Sequence, residues 1–289
     1  MDSAPPCRPP LRAGEFEITP VRPAIYWWDG GAMFGVVPKT LWSRKTAADE
    51  LNRIPCGFNC YVVRTGEHTV LIETGCGDKM DPRARERMRL QTEPEDLREA
   101  IAAAGIDPES IDIVINSHLH WDHCGGNTIL RDGGAQPAFP RARYFAPRGE
   151  WEHAHERLSR DGISYIDANY DPLVEAGRMT LVEGDCEIVP GIRMERAPGH
   201  NRDMCVITAA SRGRTFCFLS DLVPSVAHLQ PTWVAAFDLY PLETIEQKRK
   251  WLGRAADEGW LCGFGHDPEV DFLQVVRDEK KEFRAASVR

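Results

Sequence analysis

The sequence contains no uninterrupted apolar run of the roughly 18 residues that a membrane-spanning helix needs. It also has no excess of positive charge: the formal net charge is −9, and the densest basic stretch, residues 83–89, is diluted by acidic side chains. Proteins that bind nucleic acids need a basic surface to hold phosphates. The first residues lack the apolar core of a secretion signal. We therefore expect a cytoplasmic protein with a small-molecule substrate and neither a nucleic-acid nor a membrane partner.

Cysteine is plentiful but forms no framework. The nine cysteines are scattered, and no second pair joins Cys56 and Cys60 to give a zinc-finger spacing. Several lie in apolar, strand-like runs, where a free thiol behaves as a small hydrophobic side chain, so we expect a reducing compartment. The 42% hydrophobic and 27% charged residues are ordinary for a globular protein. We predict one domain over residues 1–289, with the Pro-rich residues 1–13 as a loose arm.

One short run carries four potential metal ligands, namely His118, His120, Asp122 and His123. It directly follows the apolar, β-branched residues 111–115, which predict a buried strand. Sites in α/β proteins commonly lie where such strands end. Imidazole and carboxylate suit zinc, iron or manganese. Histidines in a loop can simply be solvated, but this density of ligand types favours a metal site, with the first two histidines on one ion and the last two residues turned toward a second.

Three later segments could complete the ligand set. His200, Asp221 and His266 each follow an apolar or strand-like stretch, so each is predicted to lie at a strand end on a common rim. Taken alone, they could be a turn residue, a helix N-cap and a loop histidine. Together with the first run they give seven ligand-type residues.

At this point the sequence resembles the metallo-β-lactamase superfamily. The resemblance rests on His-x-His-x-Asp-His at 118–123, Pro-Gly-His at 198–200, the strand-closing Asp221 and the late His266, and it runs from about residue 59 to residue 266. It implies that His118, His120 and His200 hold one metal ion. Asp122, His123 and His266 would hold a second, and Asp221 would bridge both. Glu73 stands where the family more often has Asp, in a position that supports the ligands through hydrogen bonds.

The resemblance also implies a fold, an α/β four-layer αβ/βα sandwich. The local patterns agree, because strand-rich stretches alternate with helices in both halves. They predict strands at 16–25, 59–63, 69–72, 142–146, 179–182, 192–196, 204–208, 215–219, 272–276 and 282–286, and helices at 94–104, 150–158 and 242–256. His153 and His155, two apart on the second of these helices, are predicted to be surface residues.

The implied chemistry is hydrolysis by metal-bound hydroxide, with two divalent ions, zinc first and manganese, cobalt or iron as alternatives. Asp122 would orient the hydroxide and move its proton. Broad-spectrum metallo-β-lactamases have Cys at the position of Asp221 or lack a bridging residue. With a bridging carboxylate there, this chain instead resembles the lactonases, thioesterases, phosphodiesterases and organophosphate hydrolases. The 45 residues between Asp221 and His266 suit the lactonase and organophosphate-hydrolase branch. We therefore predict opening of a lactone or related small ester, with phosphotriester or phosphodiester hydrolysis as the alternative.

Two segments are predicted to form the substrate pocket. Residues 29–39 look like the N-terminal loop of quorum-quenching lactonases, which would put Met33 and Phe34 over the metals, although both could simply be core residues. The segment after Asp221 must start at the metal rim, and His228, Trp233 and Phe237 could line a pocket there.

One departure from the lactonase pattern concerns the leaving group. The best-known acyl-homoserine lactonases have Tyr three residues after the bridging Asp, whereas this chain has Pro224, which has no donor. His228 could replace that Tyr, or the natural substrate could be a different lactone. Other readings are a closed, non-catalytic metal site and an iron oxidoreductase of the same fold. Related enzymes are often dimers, so a homodimer is an open expectation.

Overall fold

The computed structural model describes residues 9–92 and 96–288. Its strands are β1 (Leu11–Ala13), β2 (Phe16–Val21), β3 (Ile25–Asp29), β4 (Arg53–Gly57), β5 (Cys60–Arg64), β6 (Thr69–Ile72), β7 (Ile113–Ile115), β8 (Thr128–Arg131), β9 (Gly134–Pro137), β10 (Arg143–Pro147), β11 (Met179–Val182), β12 (Cys186–Val189), β13 (Ile192–Arg196), β14 (Cys205–Ser211), β15 (Arg214–Phe218), β16 (Leu261–Gly263), β17 (Leu273–Asp278) and β18 (Glu282–Ala286). Its α-helices are α1 (Gly30–Phe34), α2 (Lys39–Trp42), α3 (Pro82–Arg87), α4 (Leu97–Ala103), α5 (Trp121–Cys124), α6 (Arg148–Glu156), α7 (Asp171–Glu175) and α8 (Pro241–Glu258).

Two seven-stranded sheets form the centre of the molecule. The first has the order β1-β2-β5-β6-β7-β10-β11, and the second runs β12 to β18 in sequence order. Strands β6, β7, β10 and β11 pair in parallel, and the only parallel pair of the second sheet among the described residues is β15 with β16. Parallel neighbours end at the same edge, so the loops that follow them emerge together.

The two sheets pack face to face. Tyr61, Val63 and Ile115 of the first sheet share one buried cluster with Ile207 and Phe218 of the second. The alternation of apolar residues along the strands explains this, because every second side chain points to the same face.

Helices cover the outer faces. Leu97 and Ile101 of α4 belong to the cluster behind the first sheet, and Trp251 and Leu252 of α8 belong to the cluster behind the second. The predicted four-layer αβ/βα sandwich is confirmed. No helix in the described part of the chain combines the length and apolar character needed to cross a membrane.

The N-terminal region differs from its prediction. The single strand predicted at 16–25 is two strands, because Pro23 separates β2 from β3. Residues 11–13, predicted to be part of a loose arm, pair as β1 with β2, whereas residues 1–8 lie outside the described residues. The start of the helix predicted at 94–104 also lies outside them, and α4 covers Leu97–Ala103.

Candidate metal centre and active site

The run with four potential ligands covers the loop after β7, which holds His118 and His120, and the short helix α5, which holds Asp122 and His123. Backbone amides of this loop are held by two buried carboxylates: Glu73 accepts from Ser117 N at 2.9 Å, and Glu150 accepts from Leu119 N at 3.4 Å. Glu73 adopts φ +62°, an uncommon value for a residue other than glycine. The loop is therefore fixed from both sides, so the directions of His118 to His123 are set by the fold.

The other ligands arrive from strand ends of the second sheet. His200 follows β13, Asp221 lies in a 3₁₀ turn directly after β15, and His266 follows β16. All three are buried. As the sequence predicted, segments far apart in the chain meet at one rim, and the structure brings all seven predicted ligands together.

The ligand atoms fall into two groups on either side of Asp221. His118, His120 and His200 form one group, and Asp122, His123 and His266 form the other. Asp221 Oδ2 lies 3.4 Å from His200 Nε2 and 4.0 Å from His118 Nε2. Asp221 Oδ1 lies 3.0 Å from His266 Nε2 and 3.3 Å from His123 Nε2. One carboxylate thus faces both groups, one oxygen toward each.

The donor atoms fit metal ions. The Nδ1 atoms of His200 and His266 contact Asp238 Oδ1 and the Gly57 carbonyl, both at 3.0 Å. An ionised carboxylate and a carbonyl only accept, so each Nδ1 carries the proton and each Nε2 directs a lone pair inward. His200 Nε2 is 3.1 Å from His120 Nδ1.

The second group shows the same arrangement. In it, His266 Nε2 is 3.2 Å from His123 Nε2. Among the described residues, the buried His118 Nε2 of the first group and the buried Asp221 Oδ1 between the groups have no hydrogen-bond partner. Lone pairs that converge in this way need cations between them. The cluster therefore fits two divalent ions held by imidazole and carboxylate.

Burial and neighbouring charges set the pKa values of the histidines. Burial, and then the adjacent histidines, hold the pKa of His118 and His120 well below the usual range. Burial, the largest single cause, acts in the same direction on His123, His200 and His266, but the neighbouring carboxylates, Asp221 first among them, together outweigh it and raise the pKa of all three. The Asp221 carboxyl is buried, yet the three histidines lower its pKa well below the ordinary value, so it stays ionised.

Two carboxylates lie beside the outer nitrogens of ligand rings. Glu73, predicted for this role, lies 3.7 Å from His123 Nδ1. Asp238, which sequence reasoning missed, binds His200 and accepts from Thr244 of α8 at 2.7 Å. Asp238 follows a loop without a motif, and no sequence signal marks it.

A cleft of about 110 Å³ opens onto the cluster. Its apolar walls include Met33 and Phe237, as predicted, together with the aromatic side chains of Trp28 and Trp121. Asp122, with 15% of its side chain exposed, lies at the cleft surface beside the better buried ligands. The remaining lining residues are Tyr26, His120, Arg160, Asp161, Ser164, His200, Asp221 and His266.

Phe34 and Trp233 are not in that lining. Phe34 is fully buried and stacks on Trp42 with 5.1 Å between ring centroids, while Trp233 packs edge-on against Phe34. The Gly30–Phe34 helix turns Met33 toward this cleft, whereas Phe34 borders a neighbouring pocket of about 370 Å³ that also includes Met33 and His266. Trp233 lines neither of these two pockets, which corrects its predicted position.

His228 does not occupy the pocket position predicted for it. Its Nε2 lies 2.8 Å from the Met33 carbonyl, its Nδ1 lies 2.8 Å from Ser225 Oγ, and its ring stacks on Phe34. Burial, and then the charge of Lys248, lower its pKa to about 3. Both ring nitrogens have partners and the side chain is not in the cleft lining, so His228 holds the loop and does not take its predicted place in this cleft.

The prediction that His153 is a surface residue is wrong, because its side chain is buried. Its Nε2 lies 2.7 Å from Asp161 Oδ2, and Asp161 lines the cleft. His155 is more exposed and pairs with Asp171 at 3.0 Å. Tyr26 was also missed: its hydroxyl lies 3.2 Å from His266 Nδ1. It lies in β3, just before the segment 29–39, and no sequence signal marks it.

Comparisons with known proteins agree with a metal-binding hydrolase site. A family model described as metallo-beta-lactamase superfamily matches residues 53–271. A curated relative from Bacillus sp. named N-acyl homoserine lactonase is 28% identical over 156 residues, covering 49% of this chain and 53% of the relative. The N-acyl homoserine lactonase AttM of Rhizobium radiobacter is 24% identical, covering 59% and 63%. The chain thus spans about half the length of the first curated relatives it matches.

Solved structures extend the likeness over nearly the whole chain. A probable metal-dependent hydrolase from Staphylococcus aureus has a TM-score of 0.86 at 27% identity, covering 96% of this chain and 100% of that one. AidC, a dizinc quorum-quenching lactonase, has a TM-score of 0.77 at 19% identity, covering 97% of both chains. The second likeness shows the fold alone.

Proposed function

Because the chain belongs to the metallo-beta-lactamase superfamily, we propose that it is a binuclear metal-dependent hydrolase that opens a lactone or a related small ester. The observation that carries this proposal is the position of Asp221, whose two oxygens each face a separate group of ligand atoms. A purely structural metal site is typically closed by its ligands, whereas these groups border an open cleft. The relatives named as lactonases support the same reaction class.

In this proposal His118, His120 and His200 would hold one ion and Asp122, His123 and His266 the other, with Asp221 available to both. Zinc suits these ligands, and manganese, cobalt and iron are the alternatives. When bound, two such ions acidify water and polarise a carbonyl oxygen.

The chain's own residues then position the reactants. Asp122 lies at the cleft surface, where its carboxylate can orient the attacking water and accept a proton from it. Tyr26 brings a hydroxyl to the cleft wall. Its oxygen lies 3.2 Å from His266 Nδ1, whose N–H also has the Gly57 carbonyl at 3.0 Å, and the Tyr26 hydroxyl hydrogen can rotate toward the cleft. We assign to Tyr26 the donation to the substrate oxygen that His228 cannot provide.

The cleft favours a compact, neutral reacting group beside the ligand cluster. The cleft volume of about 110 Å³ is small compared with typical ligand pockets, and Met33, Trp28, Trp121 and Phe237 make much of its wall apolar. The formal net charge of −9 disfavours polyanions such as nucleic acids. An aliphatic lactone satisfies both conditions.

A hydrolysis panel on metal-reconstituted protein tests the proposal. We expect kcat/KM for γ- or δ-lactones to exceed that for β-lactams by at least about a hundredfold, roughly 2.7 kcal/mol of transition-state preference. Phosphotriesters should fall between the two. If phosphotriesters are cleaved well ahead of every lactone, the lactonase proposal is wrong and organophosphate hydrolysis replaces it.

A further inference from the structure

A pair of buried residues on one wall of the cleft has no part in the chemistry described above. Asp161 directly precedes the 3₁₀ turn Gly162–Ser164, and its backbone carbonyl accepts from Ser164 N at 2.7 Å. Its side chain is 8% exposed, and it lies in the lining of the same cleft as Asp122 and His120. The turn fixes the backbone, so the carboxylate has little freedom to move away.

The two oxygens of this carboxylate are not equivalent. His153 of α6, itself buried, places Nε2 2.7 Å from Oδ2. The other oxygen, Oδ1, is buried and has no hydrogen-bond partner within residues 9–92 and 96–288. Leaving a buried charged acceptor unpaired is costly. His153 therefore holds the carboxylate in one orientation while Oδ1 lacks a donor, and Asp161 is among the residues that line the cleft.

The missing partner must donate a hydrogen bond, because a carboxylate only accepts. A cationic donor is disfavoured, since the proposed metal ions already place positive charge in the cleft and Arg160 lies in the same lining. A neutral N–H or O–H group remains. Resting on the proposed lactonase function, we propose that Asp161, held by His153, is a specificity residue that binds a neutral amide N–H or hydroxyl on the substrate.

The test compares two lactones of equal size. One is N-hexanoyl homoserine lactone, which carries an amide N–H, and the other is its analogue with CH₂ in place of that N–H. In Asp161→Asn, with His153 donating from Nε2 as it does to the carboxylate, the amide oxygen accepts from His153, and the NH₂ group takes the place of Oδ1 and meets the substrate donor with another donor. We expect kcat/KM for the amide lactone to fall about tenfold, which is about 1.4 kcal/mol, mainly through KM, and that for the CH₂ analogue to change less than about twofold.

The control is Asp171→Asn, which makes the same change in the His155–Asp171 pair outside the cleft. It should leave the ratio of the two substrates unchanged. His153→Phe, which removes the donor that orients Asp161, should reduce the same ratio in a protein whose folding is checked by thermal unfolding. Equal effects of Asp161→Asn on both lactones would overturn the inference while the lactonase function stands. A wild type that opens neither lactone would overturn both.

Discussion

Nδ1 of His200 lies 3.0 Å from Oδ1 of Asp238, and the second oxygen of Asp238 accepts from Thr244 Oγ1 at 2.7 Å. The first turn of α8 therefore fixes the ring of a proposed ligand through one buried carboxylate. Partners of this kind set ring orientation and ligand basicity. The proposed metal site thus depends on residues well outside the ligand motif.

Asp238→Asn should weaken binding of the ion held by His200. Loss of such a partner typically costs about 10- to 100-fold in affinity, measured here by competition with a chromogenic chelator. The matched control is Asp112→Asn, because Asp112 pairs with Nδ1 of His68 at a half-exposed position away from the cleft. Equal affinities in Asp238→Asn and wild type would show that Asp238 does not support the ligand.

Asp221→Ala should have the largest effect on metal content. Wild type is expected to bind about two ions per chain, and the variant should lose most of the second and nearly all activity, because one carboxylate faces both groups. Metal analysis after reconstitution measures this, with the exposed Asp257→Ala as control. A wild-type stoichiometry of one would rule out the binuclear site.

Substitution of His228 should change stability, whereas substitution of Tyr26 should change kcat. His228→Ala removes two hydrogen bonds and a ring stack from the loop, so we expect it to lower the free energy of unfolding by about 1–3 kcal/mol. Tyr26→Phe keeps the ring and should instead lower kcat, with little change in stability. Thermal unfolding and steady-state kinetics on both variants decide the assignment. A stable His228→Ala protein with a large loss of kcat would restore the catalytic role to His228.

The two ions should be lost in a defined order as the pH falls. In the metal-free protein Asp221 raises the pKa of His123 and His266 in one group but only that of His200 in the other, where burial lowers the pKa of His118 and His120. Protons therefore compete more strongly for the group with Asp122, and affinity there falls first as pH is lowered from about 8 to about 6.

Metal content after equilibration in a weakly chelating buffer at several pH values measures this order. Asp122→Asn, which weakens only the group with Asp122, identifies which ion leaves first. Simultaneous loss of both ions in wild type would contradict the assignment.

The ligand set could be predicted from sequence because each ligand follows a strand whose pattern is local. Residues 111–115 read as a buried strand, and β7 ends at Ile115, so the following loop had to lie at the sheet edge. The same reasoning placed His200, Asp221 and His266. Metal chemistry then restricts which residue types can meet at one point.

Residues that act through long-range contacts could not be predicted. His153 and His155 look alike in the sequence, yet the turn of α6 buries one beside Asp161 and leaves the other half-exposed. His228 follows Asp221 closely, but the 3₁₀ turn Val226–Leu229 directs it to the Met33 carbonyl. Distance along the chain to a ligand does not fix the direction of a side chain.

Lys248 of α8 should make the stability of the protein depend on pH. Its buried ammonium donates to the carbonyls of Trp233 at 2.7 Å and Gln230 at 3.2 Å, which ties the loop beside the cleft to the helix. Burial lowers its pKa from the ordinary 10.5 to about 7. Between these values the unfolded chain keeps the proton and the folded chain releases it, so this lysine makes the free energy of unfolding rise with pH.

Lys248→Met should remove that rise. We expect the unfolding free energy of wild type, relative to that of the variant, to increase as the pH is raised from about 7 to about 10. Urea unfolding of metal-free protein measures this difference. Using the difference cancels the shared effect of buried thiols, which titrate in the same range. Lys250→Met, on the exposed face of the same helix, should show no such shift. A difference that is independent of pH would show that Lys248 stays charged when folded, and the loop would then be held by a permanent ammonium.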